Sequence, residues 1–440
     1  MGIILHLAAA IIGLYLYSSE RKGWFLILLY AVMTSFFGYL PIGNIGKDIG
    51  VLMIVYTLIY TPKCYDIKQD SIKKWIIILL AYYTARCMFS ILLGEEAAFR
   101  ALKLVRLEYV LIAYFALKRV PLQELYKTIE ILLYITIPLC IIQIVHVLSG
   151  RADFVSSIAE KSYMSMRMGF IPDTAVFFFS YLLLKKKKSI TDLSFFIIIA
   201  ASIVLGNVRG LFIAIIITTA ILLFKQKKIK YLLLGTLIIP IMWSNFQDNS
   251  QKEDPIKEIS ITINKIKNGN IRSIDISEGN LEFRIVLVME RVEYMMKELP
   301  RFIFGIGTIE EQSPNNKLSF YIGSGNIDNE GNYYRQQIET TDVAFISDFL
   351  RYGFVYLVFF ICFIVAIYKT AIRNCSKYSE IAIFIITVYL LAAPSNNYLS
   401  NIGYLFPIML ATIIGMKENE LKDQPSQLSQ INGQQYKKQQ

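Results

Sequence analysis

Long apolar runs, broken by short charged or Gly/Asn-rich stretches, organise most of this chain. A hydrocarbon layer needs about 20 apolar residues per crossing helix, fewer where the ends snorkel. By that measure about thirteen runs are candidate spans, with twelve to fourteen as the range. They lie near 2–17, 24–40, 45–60, 75–93, 101–117, 128–148, 168–184, 193–207, 209–224, 231–246, 343–368, 380–394 and 399–415. The runs are apolar all round rather than alternating, which argues against a transmembrane β-barrel. The expected fold class is an all-α polytopic integral membrane protein. The first run carries no basic segment ahead of it and no small-residue cleavage site, so it reads as a retained helix.

The polar breaks alternate in charge. One set holds Arg21 and Lys22; Lys63, Lys68, Lys73 and Lys74; Lys118, Arg119 and Lys127; Lys185 to Lys188; Lys225, Lys227, Lys228 and Lys230; and Lys369, Arg373 and Lys377. The intervening short breaks, near 38–46, 94–96, 206–208 and 394–397, lack Lys and Arg. The positive-inside rule makes the basic set cytoplasmic, with the N-terminus outside and the C-terminus inside. Four regions follow: residues 1–246 with about ten spans, a large external loop at 247–340, about three spans in 341–416, and a polar Gln-rich tail at 417–440 expected to be disordered. Inside the loop a helix is expected over 281–299, capped by Asn280 and stopped at Pro300. Phe304-Gly305-Ile306-Gly307 reads as a turn or strand start, and 321–332 as a Gly/Asn-rich loop.

Composition narrows the class further. Of 440 residues, 55% are hydrophobic and 18% charged; soluble proteins carry roughly a quarter charged residues. Soluble multidomain and disordered readings are excluded. The net charge of +11 resides in loops between spans, so it is a topology signal and no nucleic-acid partner is implied. The five cysteines show no C-x-x-C spacing and the two histidines are far apart, so neither a metal nor a cofactor is expected. Walker, dinucleotide-binding and Ser/His/Asp patterns are absent from the sequence.

Ionisable groups at membrane depth are costly and usually pair or act. Here they gather toward the outward ends of the expected spans: Arg86; Arg100, Lys103 and Arg106 with Glu108; Arg167 and Asp173; Arg209; Asp342, Asp348 and Arg351. Arg284 and Arg291 are seven residues apart on the loop helix and point to one side. Snorkelling accounts equally for Arg100 and Lys103, an in-helix pair for Asp348 and Arg351, and a solvated face with Glu290 and Glu293 for Arg284 and Arg291. Arg86, Arg106 and Arg209, flanked by apolar residues, resist such explanations. Several guanidinium groups at one outer pocket suit a phosphate-rich anion. Joined to an apolar tail, such an anion is a lipid-linked pyrophosphate.

Three stretches carry a resemblance. They are Gly206-Asn207-Val208-Arg209-Gly210, the run from Arg284 to Phe304-Gly305-Ile306-Gly307, and Thr341-Asp342-Val343-Ala344-Phe345 followed by Leu350-Arg351-Tyr352-Gly353-Phe354. Their order within this topology resembles the O-antigen polymerase and ligase superfamily, and its Wzy-type polymerase branch in particular. Ligases typically carry a His near the position of Asp342, and this loop has none. The resemblance implies a bacterial inner-membrane enzyme. It would transfer a growing glycan from undecaprenyl pyrophosphate to a sugar hydroxyl of the next lipid-linked repeat unit. It implies Arg209, Arg284 and Arg291 on the diphosphate, with Arg86, Arg351 and Arg106 next. Asp342 would be base or acceptor-orienting group, with Asp173 behind it. It implies neither metal nor nucleotide. Implied partners are the lipid-linked oligosaccharide, membrane lipid, a chain-length regulator and a flippase. The competing readings are a ligase acting on lipid A or protein, a lipid-linked glycan transporter, and a non-enzymatic scaffold.

Overall fold

Ten helices precede the loop in the computed structural model, among the residues it describes: 2–37, 45–60, 70–149, 171–206, 208–225, 281–327, 333–340, 343–394 and 396–437. They are α1 (Gly2–Ser18), α2 (Lys22–Met33), α3 (Ile45–Tyr60), α4 (Ser71–Leu92), α5 (Ala98–Val105), α6 (Ala113–Lys118), α7 (Leu122–Ser149), α8 (Ala175–Leu183), α9 (Ile190–Leu205) and α10 (Arg209–Lys225). The loop contributes α11 (Leu281–Met296), α12 (Leu299–Phe304) and an antiparallel hairpin, β1 (Ser324–Ile327) with β2 (Tyr333–Gln336). Then come α13 (Ile346–Asn374), α14 (Lys377–Ala392) and α15 (Ile402–Lys437).

Local chemistry sets many helix starts. Asp70 caps α4 by accepting from the Lys73 amide at 3.0 Å. Ser189 and Asp192 form a capping box at α9, and Ser376 caps α14. Among the described residues three helices are long and apolar enough to cross a membrane: Ser71–Leu92, Leu122–Leu148 and Ile346–Asn374. Four more are apolar but shorter: Gly2–Ser18, Lys22–Met33, Ile190–Leu205 and Gly210–Lys225. Large apolar side chains stand exposed along them, including Ile4, Ile11, Leu92, Leu148 and Phe224. Such a surface is unfavourable in water and natural against lipid. The architecture fits an all-α membrane protein.

Among the described residues, the expected spans at 101–117 and 168–184 are not continuous helices. The run 101–117 divides into α5, a 3-10 turn (Glu108–Ile112) and α6. Tightening of the backbone here turns Glu108 into the protein interior, and Arg106 beside it reaches Asp48 on α3. Within the run expected at 168–184, the described residues are helical over α8, whose nine residues rise about 14 Å. The turn before it carries Asp173.

The loop also differs from expectation. Pro300 opens α12 near its N-terminus, where proline lacks no needed N–H, instead of ending α11 cleanly. Asn280 lies outside the described residues. The hairpin occupies part of the stretch expected as plain loop. Where a disordered tail was expected, α15 runs on to Lys437. Lys417, Glu418, Glu420 and Lys422 at the start of this tail are types that lose little rotamer freedom in a helix.

The main core is one continuous apolar cluster drawn from α1 to α10 and α13 to α15. A second, smaller core lies in the loop, where Phe283, Val286, Leu287 and Met295 pack on Ile322, Ile346, Phe349 and Leu350. The bundle therefore has two unlike ends. At one, Lys118 pairs with Asp70 at 2.6 Å, Tyr126 bonds Glu418, and Lys377 sits over the Tyr181 ring. The loop covers the other.

Candidate functional site

The loop is fastened to the bundle at one junction. Gly353 interrupts α13 with φ 74° and ψ −170°, a conformation almost confined to glycine. The break releases carbonyls that a continuous helix would bond. Ile306 N donates to Leu350 O at 2.8 Å, Gly307 N to Arg351 O at 3.1 Å, and Tyr82 Oη to Tyr352 O at 2.5 Å. A Cβ on Gly353 would overlap the Ile303 carbonyl. Two stretches singled out in the sequence, Phe304–Gly307 and Arg351-Tyr352-Gly353, are thus partners of each other.

Charged side chains hold this junction. Arg86 Nε donates to Phe304 O at 2.9 Å, and its Nη2 pairs with Glu95 at 2.9 Å. Arg351 pairs with Glu339 at 2.8 Å and donates to Ile309 O at 3.3 Å. Arg351 therefore pairs with Glu339, where an in-helix pair with Asp348 was one expectation. Arg100 and Lys103 both reach Glu310 of the loop. Burial pushes the Glu96 carboxyl up, but Ser313, the Glu310 and Ala97 amides and Arg100 outweigh it and hold the group below the usual carboxylate range.

Arg291 is fully buried in the loop core. Its guanidinium donates to Leu287 O, Ile322 O and Gln337 O at 2.9–3.2 Å and stacks over Phe320. Burial draws its pKa down to about 10, against the pull of Glu290 and Glu311. Glu290 itself accepts the Tyr321 and Ile322 amides, and Glu311 accepts those of Gln337, Ile338 and Glu339. These charges build the loop.

Beneath the loop lies a different arrangement. Glu108 is enclosed by protein and keeps some accessible surface, as do Lys47, Asp173 and Asp348. Lys47 on α3 is within electrostatic reach of Glu108, Asp173 and Asp48, and forms no ion pair with them at contact distance among the described residues. Asp48 holds Arg106 Nε at 3.2 Å. The Tyr83 hydroxyl on α4 is within hydrogen-bonding reach of Glu108 and of Tyr356, and Tyr356 donates to Asp348 at 3.2 Å. Asp173 is bonded by Tyr404 and presses on Gly403, where any Cβ would collide with its carboxylate. Tyr398, ringed by Tyr389 and Tyr404 at 5.1 and 4.9 Å between centroids, lies within reach of Arg284, which is half-buried on α11.

The charged cluster so formed, called the chamber below, draws on α3, α4, the 3-10 turn, the turn before α8, α11, α13 and the start of α15. On its flank a groove of about 340 Å³ opens between α4 and α5, lined by Met88, Phe99, Leu102, Lys103, Arg106 and Tyr109 among others. Arg106 belongs to both.

The expected site residues therefore divide. Arg106, Arg284 and Asp173 border the chamber. Arg86 and Arg351 bind the junction at its roof, and Arg291 lies within the loop. Asp342 is outside the described residues, as is the side chain of Arg209, which begins α10. Lys47, Tyr83, Tyr356 and Tyr404 were not anticipated, although Lys47-Asp48 at the start of an apolar run is a legible signal. Among the described residues no group of three His, Cys, Asp or Glu side chains is placed to hold a metal. Comparison of the sequence with protein-family models and with curated proteins finds no match.

Proposed function

We propose that this chain is a polysaccharide polymerase of the inner membrane. It would transfer a growing glycan from a polyprenyl-diphosphate carrier to a hydroxyl of the next lipid-linked repeat unit. In this reading about thirteen segments cross or enter the membrane. The basic breaks face the cytoplasm, and the loop with its chamber faces outward. The observation that carries the reading is a network of charges: Lys47 within reach of Glu108, Asp173 and Asp48, Glu108 within reach of Asp348, Arg106 on Asp48, and Arg284 within reach of Tyr398.

The chemistry asks for cations at the leaving diphosphate and an acceptor for the hydroxyl proton. Arg106 stands where the apolar groove meets the chamber, a place that suits a headgroup whose tail remains in lipid. Lys47, held by no contact ion pair among the described residues, and Arg284 complete the set assigned to the diphosphate. Arg86 and Arg351 keep the roof in place. The tyrosines supply hydroxyls and ring faces for sugars.

Full-length protein in nanodiscs, given lipid-linked repeat units, should produce a ladder of longer glycans. Lys47→Ala and Arg284→Ala should each slow the ladder about 100-fold while membrane levels stay unchanged. Normal ladders from both would remove the cations from the reaction. Transfer of finished chains to lipid A or protein, without lengthening, would identify a ligase. The discontinuous segment at α5–α6 favours one further reading, a transporter of the same lipid-linked glycan, since transporters build sites from broken helices. Movement of labelled substrate across proteoliposomes without new glycosidic bonds would select it.

A further inference from the structure

Glu108 stands out among the charged groups of the chamber. It sits on a 3-10 turn inside a run that would otherwise be an apolar helix, and its neighbours come from three elements. Lys47 faces it from α3, Tyr83 from α4, and Asp348, Arg351, Tyr352 and Tyr356 from α13. A carboxylate placed there only for packing would be a costly choice. Two features argue for more. Tyr83 and Tyr356, both fully buried, link Glu108 to Asp348 through successive hydroxyls. Glu108 and Lys47, though enclosed, both retain some accessible surface.

We propose that Glu108 is the group that removes the proton from the acceptor hydroxyl, with Asp348, Tyr356 and Tyr83 as positioning residues. This rests on the polymerase reading and assigns its base. In the step, the acceptor oxygen bonds to the anomeric carbon of the donor glycan. The bond from that carbon to the diphosphate oxygen breaks, and its electron pair leaves on the diphosphate. The hydroxyl proton passes to a Glu108 carboxylate oxygen and then to water. The Tyr83 hydroxyl, bonded onward to Tyr356 and Asp348, holds the carboxylate in one orientation, so one oxygen is presented to the chamber. Lys47 lies within electrostatic reach of the carboxylate.

The test measures turnover against pH, using full-length protein in nanodiscs with the lipid-linked repeat unit as both donor and acceptor. Glu108→Gln should lower kcat about 100-fold or more, leave KM within about threefold, and flatten the acidic limb of the profile. Glu108→Asp should recover part of the rate. Tyr83→Phe and Asp348→Asn should lower kcat about tenfold and displace the acidic limb, which loss of packing alone would not do. A Glu108→Gln rate within about threefold of the unmodified protein overturns the assignment and leaves the polymerase standing. Unmodified protein that leaves the repeat units unjoined removes both. If Glu108→Gln does not accumulate in the membrane, Glu108→Asp and Tyr83→Phe decide. An unmodified pH profile from both overturns the proposal.

Discussion

Arg291 and Lys47 are both cations held within protein, and their surroundings differ in kind. Arg291 directs its donors to three backbone carbonyls and lays its face on Phe320. Around it Glu290 and Glu311 likewise bind backbone amides. Charge in the loop replaces regular secondary structure as the partner of the main chain. In the chamber the charges lie within electrostatic reach of one another. Lys47 has acids within reach and none in contact among the described residues. A charge bonded to the main chain holds a fold together, and one with no contact partner among the described residues is available to a ligand.

Substitutions should separate these roles. The largest loss of stability is expected from Arg291→Ala, which leaves the Ile322 and Gln337 carbonyls in the loop core without their guanidinium donor. The cost is about 3 kcal/mol or more. Limited proteolysis of the loop and reduced membrane level should report it, in contrast to the unchanged levels expected of Lys47→Ala. A stable Arg291→Ala protein lacking only activity would move Arg291 into the chemistry and erase the contrast. Next is Gly353→Ala, where the backbone conformation alone costs about 1–3 kcal/mol. It should loosen the hold of α13 on Ile306 and Gly307, seen as faster hydrogen exchange at those amides. Unchanged exchange would show that the loop is fastened elsewhere.

The smallest effect concerns Glu96. Its carboxyl is held below the ordinary value of 4.5, so its bonds stabilise the folded loop above that pH. The stabilisation is lost as pH falls through the lowered value. Cleavage near 310–313 should therefore rise in acid, and Glu96→Gln should abolish that pH dependence at a constant cost of about 1 kcal/mol. Equal acid sensitivity in both proteins would assign it to another group.

Much of the fold was legible because lipid compatibility is a property of contiguous sequence. The apolar runs Ser71–Leu92, Leu122–Leu148 and Ile346–Asn374 announce their helices without reference to partners. Helix α11 was legible from its helix-forming residues, although its end was misplaced because Pro300 favours a new first turn as readily as a stop. The break at Glu108–Ile112 was hidden. Its apolar flanks score like any span, and only the pull of Asp48 and Lys47 from α3 distinguishes it.

The sequence by itself determined the helical, membrane-compatible class, the alternation of basic breaks, and the set of charges too deep to be casual. Only the tertiary structure decided how those charges divide: Arg86 and Arg351 to the junction, Arg291 to the loop core, Arg106 and Arg284 to the chamber with Lys47 and Glu108. The reason is physical. Hydrophobicity is additive along a chain, whereas the satisfaction of a charge depends on groups brought near it from distant elements.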